Sequence, residues 1–175
     1  MKGQLTMQYL ASFIFFIGLI VYVYFAYAEN IPNYIEEVEK EDMRSKAYQL
    51  SEVLINDNGH PNNWDHLSDN QVLRIGLSDE TSNKTNLISL DKVNRLETIC
   101  GNTDSEFQKV QQKLAMEKPF IIYVFNISQT DGQRKLLLDC YPSKFPKKTL
   151  NATVKRIVAL KSSNNIDLAE LIIQM

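Results

Sequence analysis

The sequence predicts an α+β protein: a long apolar N-terminal helix, then a domain of short helices with an antiparallel C-terminal sheet. Three observations lead there. No charged residue occurs from Gln4 to Ala28, and Tyr9 to Ala28 alone gives about 20 apolar or aromatic residues, the length of a bilayer-spanning helix. Met43, Ala47, Leu50 and Leu54 then recur at helical spacing. The last third of the chain holds short runs rich in branched residues, separated by turn signals. The 175 residues carry a formal charge of -2 and are 44% hydrophobic, which fits one domain with an appended segment and gives no global electrostatic case for nucleic acid.

The first element, residues 4–28, is read as a membrane-crossing helix. Lys2 precedes it, while Glu29, Glu36, Glu37, Glu39, Glu41 and Asp42 follow it. Positive charge stays on the cytoplasmic side, so the N-terminus is expected inside and the bulk of the chain outside the cell membrane, with a single crossing. Tyr22, Tyr24 and Tyr27 fall near one end, where amphipathic rings favour the headgroup level. Ile31-Pro32-Asn33 breaks the pattern, and Asn33 with Glu36 looks like a cap pair opening a second helix. Residues 29–56 are thus an amphipathic extension, and the acidic run Glu36–Asp42 is its solvated face.

Residues 57–175 form the outer domain. Asn56 to Asp79 opens as a loop rich in Asn, Asp, Gly and Pro, and Gln71–Leu77 reads as a short strand. Leu90–Ile99 is helical, and Thr103-x-x-Glu106 is a capping box ahead of Phe107, Val110 and Leu114. Phe120–Ile127 and Lys135–Tyr141 read as a hairpin around Thr130-Asp131-Gly132-Gln133. Thr153–Lys161 and Asp167–Gln174 make a second strand pair around Ser162–Asn165.

The N-terminal segment admits three readings. One is an uncleaved signal anchor. Another is a secretory signal peptide cut after Ala26-Tyr27-Ala28, although the apolar run exceeds the usual core of about 7–15 residues. The third comes from Lys2-Gly3-Gln4-Leu5-Thr6, which resembles the class III signal peptide of archaeal type IV pilin-like proteins. In that family a Lys/Arg-Gly pair precedes the cut and Gln begins the mature chain. The resemblance therefore implies a leader of residues 1–3, cleaved by a prepilin peptidase between Gly3 and Gln4. The apolar helix would stay on the mature chain and pack against other pilin subunits through a surface that includes Gln8, Phe15 and Gly18. Gly3 suits a peptidase that must approach the backbone closely, because it has no side chain. Gln8 stands where the family carries Glu, whose charge meets a neighbouring subunit's terminal amine. That departure, with the size of the outer domain, points to a minor pilin or another non-dominant surface subunit.

A second resemblance is independent of the first. Gly59-x-Pro61-x-x-Trp64, Ile75-Gly76-Leu77 and Leu90-Asp91-Lys92-Val93 recur in archaeal pilin-like and related membrane-anchored proteins. Its expected role is structural, with Trp64, the one tryptophan, pinning the loop to the core.

Chemistry-bearing residues are sparse. His60 and His66, near Asp65 and Asp69, lack a tight metal-ligand spacing and read as solvated or structural loop residues. Cys100 and Cys140 are too far apart for a C-x-x-C redox pair; a structural disulfide is the first reading and two separate buried thiols the second. Sequons at Asn83, Asn126 and Asn151 suggest N-glycosylation in an extracytoplasmic chain. Lys144, Lys147, Lys148, Lys155 and Arg156 surround Tyr141 and Phe145; they could hold a nucleic-acid strand or anionic glycan, but lysines guarding a sheet edge explain them more simply. No Gly-rich phosphate loop, G-x-S-x-G elbow or H-E-x-x-H helix occurs. No cofactor and no enzymatic activity are expected. The expected function is a membrane-anchored, pilin-like structural or adhesion subunit in contact with lipid. The alternatives are a single-span surface binding protein that never polymerises and, more distantly, a secreted enzyme.

Overall fold

A computed structural model describes residues 2–79, 85–101, 103–127, 134–143, 152–163 and 165–175, with side chains described from residue 7 onward. The chain divides into two compact units, Met1–Glu41 and Asp42–Met175.

The first helix, α1, runs unbroken over Lys2–Asn56 with Pro32 inside it. This corrects the expected break at Ile31-Pro32-Asn33 and the expected cap at Asn33. Proline removes a single amide donor, here the one that would reach the carbonyl of Ala28, at a cost of about 3 kcal/mol. Helical residues on both sides keep propagating past it, because extension is far easier than a new nucleation. Within the second unit α1 buries Met43, Ala47, Leu50, Leu54 and Ile55, the stripe that its spacing predicts.

After α1 come two single-turn 3-10 helices, Trp64–His66 and Asp69–Gln71. The expected strand Gln71–Leu77 is absent: only isolated bridges form, His60 with Arg74 and Ser78 with Ile88. An alternating run becomes a strand only where a partner edge is free to pair, and this one is tied to the end of α1 instead. The amide of Leu77 donates to the carbonyl of Leu54 and that of Ser78 to Asp57.

Two short helices then form much as their patterns indicate. Helix α2 spans Leu90–Cys100 and buries Val93, Leu96 and Ile99; α3 spans Asp104–Lys113 and buries Phe107 and Val110. The capping box at α3 is complete, with the Glu106 amide donating to Thr103 Oγ1 and the Thr103 amide donating to the Glu106 carboxylate.

The sheet has five strands in the order β1-β4-β5-β2-β3, with β1 Leu87–Ser89, β2 Ile121–Asn126, β3 Lys135–Cys140, β4 Thr153–Ser162 and β5 Asn165–Gln174. The β2–β3, β2–β5 and β4–β5 pairs are antiparallel, as expected. The turn expected at residues 130–133 lies outside the described residues. Strand β1 was not anticipated; it adds in parallel to β4 through Leu87, Ile88 and Ser89. Register places Val124, Leu138, Leu171 and Ile173 on one sheet face, all buried in the same core as Phe107 and Phe120, whose rings lie 5.0 Å apart. Cys100 at the end of α2 is bonded to Cys140 at the end of β3, with Cα atoms 5.6 Å apart. The fold is therefore α+β, with one disulfide.

Candidate functional site

Two surfaces stand out. The first is the N-terminal part of α1. From Met7 to Tyr27 the large apolar side chains point outward all around the helix, from Val23 at 39% exposed to Phe15 at 76%. A helix apolar on every face is suited to lipid or to like helices, since water rewards neither. It is long and apolar enough to cross a membrane. Gln8 is exposed on this surface, and nothing lies within 4 Å of the position a Cβ would take at Gly18. The backbone of Gly3 and Gln4 is helical, and their side chains lie outside what is described.

The second surface is built on the loop between α1 and α2. The three motif fragments Gly59-x-Pro61-x-x-Trp64, Ile75-Gly76-Leu77 and Leu90-Asp91-Lys92-Val93 converge there. Trp64 is fully buried, and its Nε1 donates to the carbonyl of Gly76 at 2.9 Å. Gly59 has φ +81° and lies so close to the Trp64 ring that a Cβ would overlap it. A Cβ on Gly76 would overlap the backbone of Asp57. Beneath them Lys92, 3% exposed, reaches up from α2 and donates to the carbonyls of Asn58 at 2.8 Å and Ser78 at 3.0 Å. A buried ammonium is tolerated only when its donors are satisfied, and here backbone carbonyls of two loop segments accept from it. Asp57 closes the arrangement: it accepts from the Gly59 amide at 2.8 Å and from Arg74 Nε and an Arg74 terminal nitrogen at 2.9 and 3.1 Å. The expectation that Trp64 anchors the loop is met. The part played by Lys92 was not foreseen, because a lysine on an amphipathic helix usually marks its wet face.

Above this rigid base lies an open groove of about 560 Å³. The last turns of α1 supply Glu52, Val53 and Asn56, and the loop supplies Asn58, His60 and Asn62. Its charges are already paired. Asp57 is held by Arg74, and Glu52 accepts from Arg156 at 2.7 Å and from Asn56 at 2.6 Å. Arg156 also lies over the Tyr48 ring, 5.1 Å from its centre.

The other expected site residues are scattered. His66 lies beside Asp65 at 3.5 Å, away from the groove lining to which His60 belongs. Among the described residues no three His, Cys, Asp or Glu side chains gather as metal ligands. Asn126 ends β2, where its side-chain Nδ2 donates to the Asp167 carboxylate at 3.2 Å. Asn83 and Asn151 lie outside the described residues, as do Lys144, Phe145, Lys147 and Lys148. Of that basic group, Tyr141 and Lys155 are exposed while Arg156 is committed to Glu52.

No protein-family model, curated protein or solved structure matches this chain.

Proposed function

We propose that the chain is a membrane-anchored, cell-surface subunit of the archaeal type IV pilin-like kind, held in lipid by α1 before assembly and packed on equivalent helices afterwards. The observation that carries the reading is the all-round exposure of apolar side chains between Met7 and Tyr27 in a segment that has no charge from Gln4 to Ala28. Lys2-Gly3-Gln4 ahead of it supplies the cleavage signal of that family. A cut at Gly3–Gln4 removes Lys2, the charge that keeps the segment's start in the cytoplasm, and leaves the apolar helix on the mature protein. The helix can then exchange lipid for like helices without exposing apolar surface to water. The second set of motif residues resembles that family independently of the signal motif.

N-terminal sequencing of protein taken from native membranes tests the reading. A start at Gln4 is the expected result. A start at Glu29 overturns it in favour of a secreted chain.

A second reading, a single-span surface protein that does not polymerise, is favoured by Gln8, which hydrogen-bonds but cannot neutralise a neighbour's terminal amine. A buried charge pair is useful only when both members are present. Gln8→Glu should therefore raise the share of the protein found in sheared filaments relative to membranes. Absence of both forms from filaments, beside normal processing, selects the second reading.

A further inference from the structure

We propose that the groove between the end of α1 and the Gly59–Trp64 loop binds a neutral carbohydrate. The argument begins with what holds the loop. Two glycines in positions that accept no side chain, a buried tryptophan hydrogen bond and a buried lysine fix a segment of a few residues. Rigid loops that display polar side chains are where recognition is commonly placed, since the ordering entropy is spent during folding and not on binding. On its outward side this loop displays Asn58, His60 and Asn62. Their side chains make no hydrogen bond to any other described residue.

The chemistry of the groove selects among ligands. An anion would meet the carboxylates of Glu52 and Asp57, and a cation would meet Arg74; each of these charges is already paired, Asp57 with Arg74 and Glu52 with Arg156, which lies outside the groove lining. What remains without a side-chain partner among the described residues is two carboxamides, each able both to donate and to accept, and an imidazole that can hydrogen-bond through either ring nitrogen. Sugar hydroxyls have the same dual character. Val53, 39% exposed on the groove wall, offers an apolar contact for the C–H face of a sugar ring. The groove volume, about 560 Å³, falls in the range of small-molecule sites.

The inference rests on the surface-subunit reading for the source of the glycan, not for the chemistry of the groove. The test uses the full chain in lipid nanodiscs, free of sugar-based detergent. It is titrated with neutral gluco-, manno-, galacto- and N-acetylglucosamine oligosaccharides, with a sulfated polysaccharide and inorganic phosphate alongside. Calorimetry gives affinity, and emission of Trp64, whose ring lies against Gly59, reports loop contact. The expected result is saturable binding of at least one neutral oligosaccharide, weakened about tenfold or more by Asn58→Ala with Asn62→Ala, at an unchanged unfolding midpoint. Three outcomes overturn the proposal: no neutral oligosaccharide binding at millimolar concentration, binding confined to the sulfated polysaccharide or phosphate, and neutral binding that the double variant leaves intact. If the double variant loses its fold, His60→Ala, an exposed residue of the groove lining, decides the same question. Processing at Gly3–Gln4 is read on the same preparations, so failure of the groove and failure of the pilin reading remain separable.

Discussion

Helix α1 uses apolar residues in two opposite ways along its length. Between Met7 and Tyr27 they cover every face of the helix and lie exposed; between Met43 and Ile55 all but Tyr48 and Val53 form one stripe and are buried. The residue types overlap, and only the arrangement around the helix differs. An all-round apolar surface has no wet side to present and so specifies a solvent, whereas a stripe specifies a packed neighbour. The two stretches should respond to different insults, and that separation can be broken experimentally.

The largest effect is expected in the first stretch. Phe16→Arg with Leu19→Arg places two cations mid-segment, each costing about 3 kcal/mol in a bilayer centre. The double variant should leave the membrane fraction while the unit Asp42–Met175 keeps its unfolding midpoint, read by fractionation and by circular dichroism. Retention in carbonate-washed membranes would mean that the exposed apolar surface is not facing lipid.

The converse experiment targets the second stretch's surroundings. Trp64→Ala removes a fully buried ring and its hydrogen bond to Gly76 and should destabilise the C-terminal unit by about 3–5 kcal/mol. Membrane association should be unaffected. Loss of membrane association in step with loss of fold would show that anchoring depends on the C-terminal unit. A smaller loss follows from Cys100→Ser with Cys140→Ser. The bond spans 40 residues of sequence, so its removal frees a long loop in the unfolded chain and costs about 3–4 kcal/mol. Denaturant unfolding with and without reductant measures it, and wild type plus reductant should match the double variant.

What could be read in advance follows from the range of the interactions involved. Helices α2 and α3 and the strands β2 to β5 are local patterns: apolar spacing, a capping box, branched runs between turns. Each survived folding with boundaries shifted by a residue or two. Strand β1 is three residues long, too short to show alternation, and exists because β4, more than 60 residues later, offers it an edge. Pro32 reads as a stop in isolation and is carried through by the helix on either side. The Cys100–Cys140 pair follows from the cysteine count once two cysteines are taken as bonded, but their meeting at the ends of α2 and β3 does not. The loop motif was legible as a pattern of residues and not as a place. Gly59, Gly76 and Lys92 lie on three segments, and only the fold shows that they clamp one loop. The groove was least legible of all, because Asn58, His60 and Asn62 look the same in sequence whether a turn is idle or employed.

The smallest expected effect sits where exposed helix gives way to packed helix. Asp42 directly precedes Met43, the first buried residue of the stripe. A hydrogen bond from Lys46, one turn along, holds its carboxyl below the ordinary value of 3.8, and the charges of Lys46 and Lys118 act in the same direction. A carboxyl lowered in the folded state contributes stability that is fully present above its unfolded pKa. That contribution fades as pH falls through the lower folded value. The group is fully exposed to solvent, so the contribution is small and screened by salt. Wild type should therefore have a slightly higher unfolding midpoint than Asp42→Asn near pH 6, and the gap should narrow once the pH drops to about 3. Added salt near pH 6 should narrow it in the same way. A gap that persists unchanged in acid and in salt would mean that Asp42 acts here through helix geometry and not through its charge.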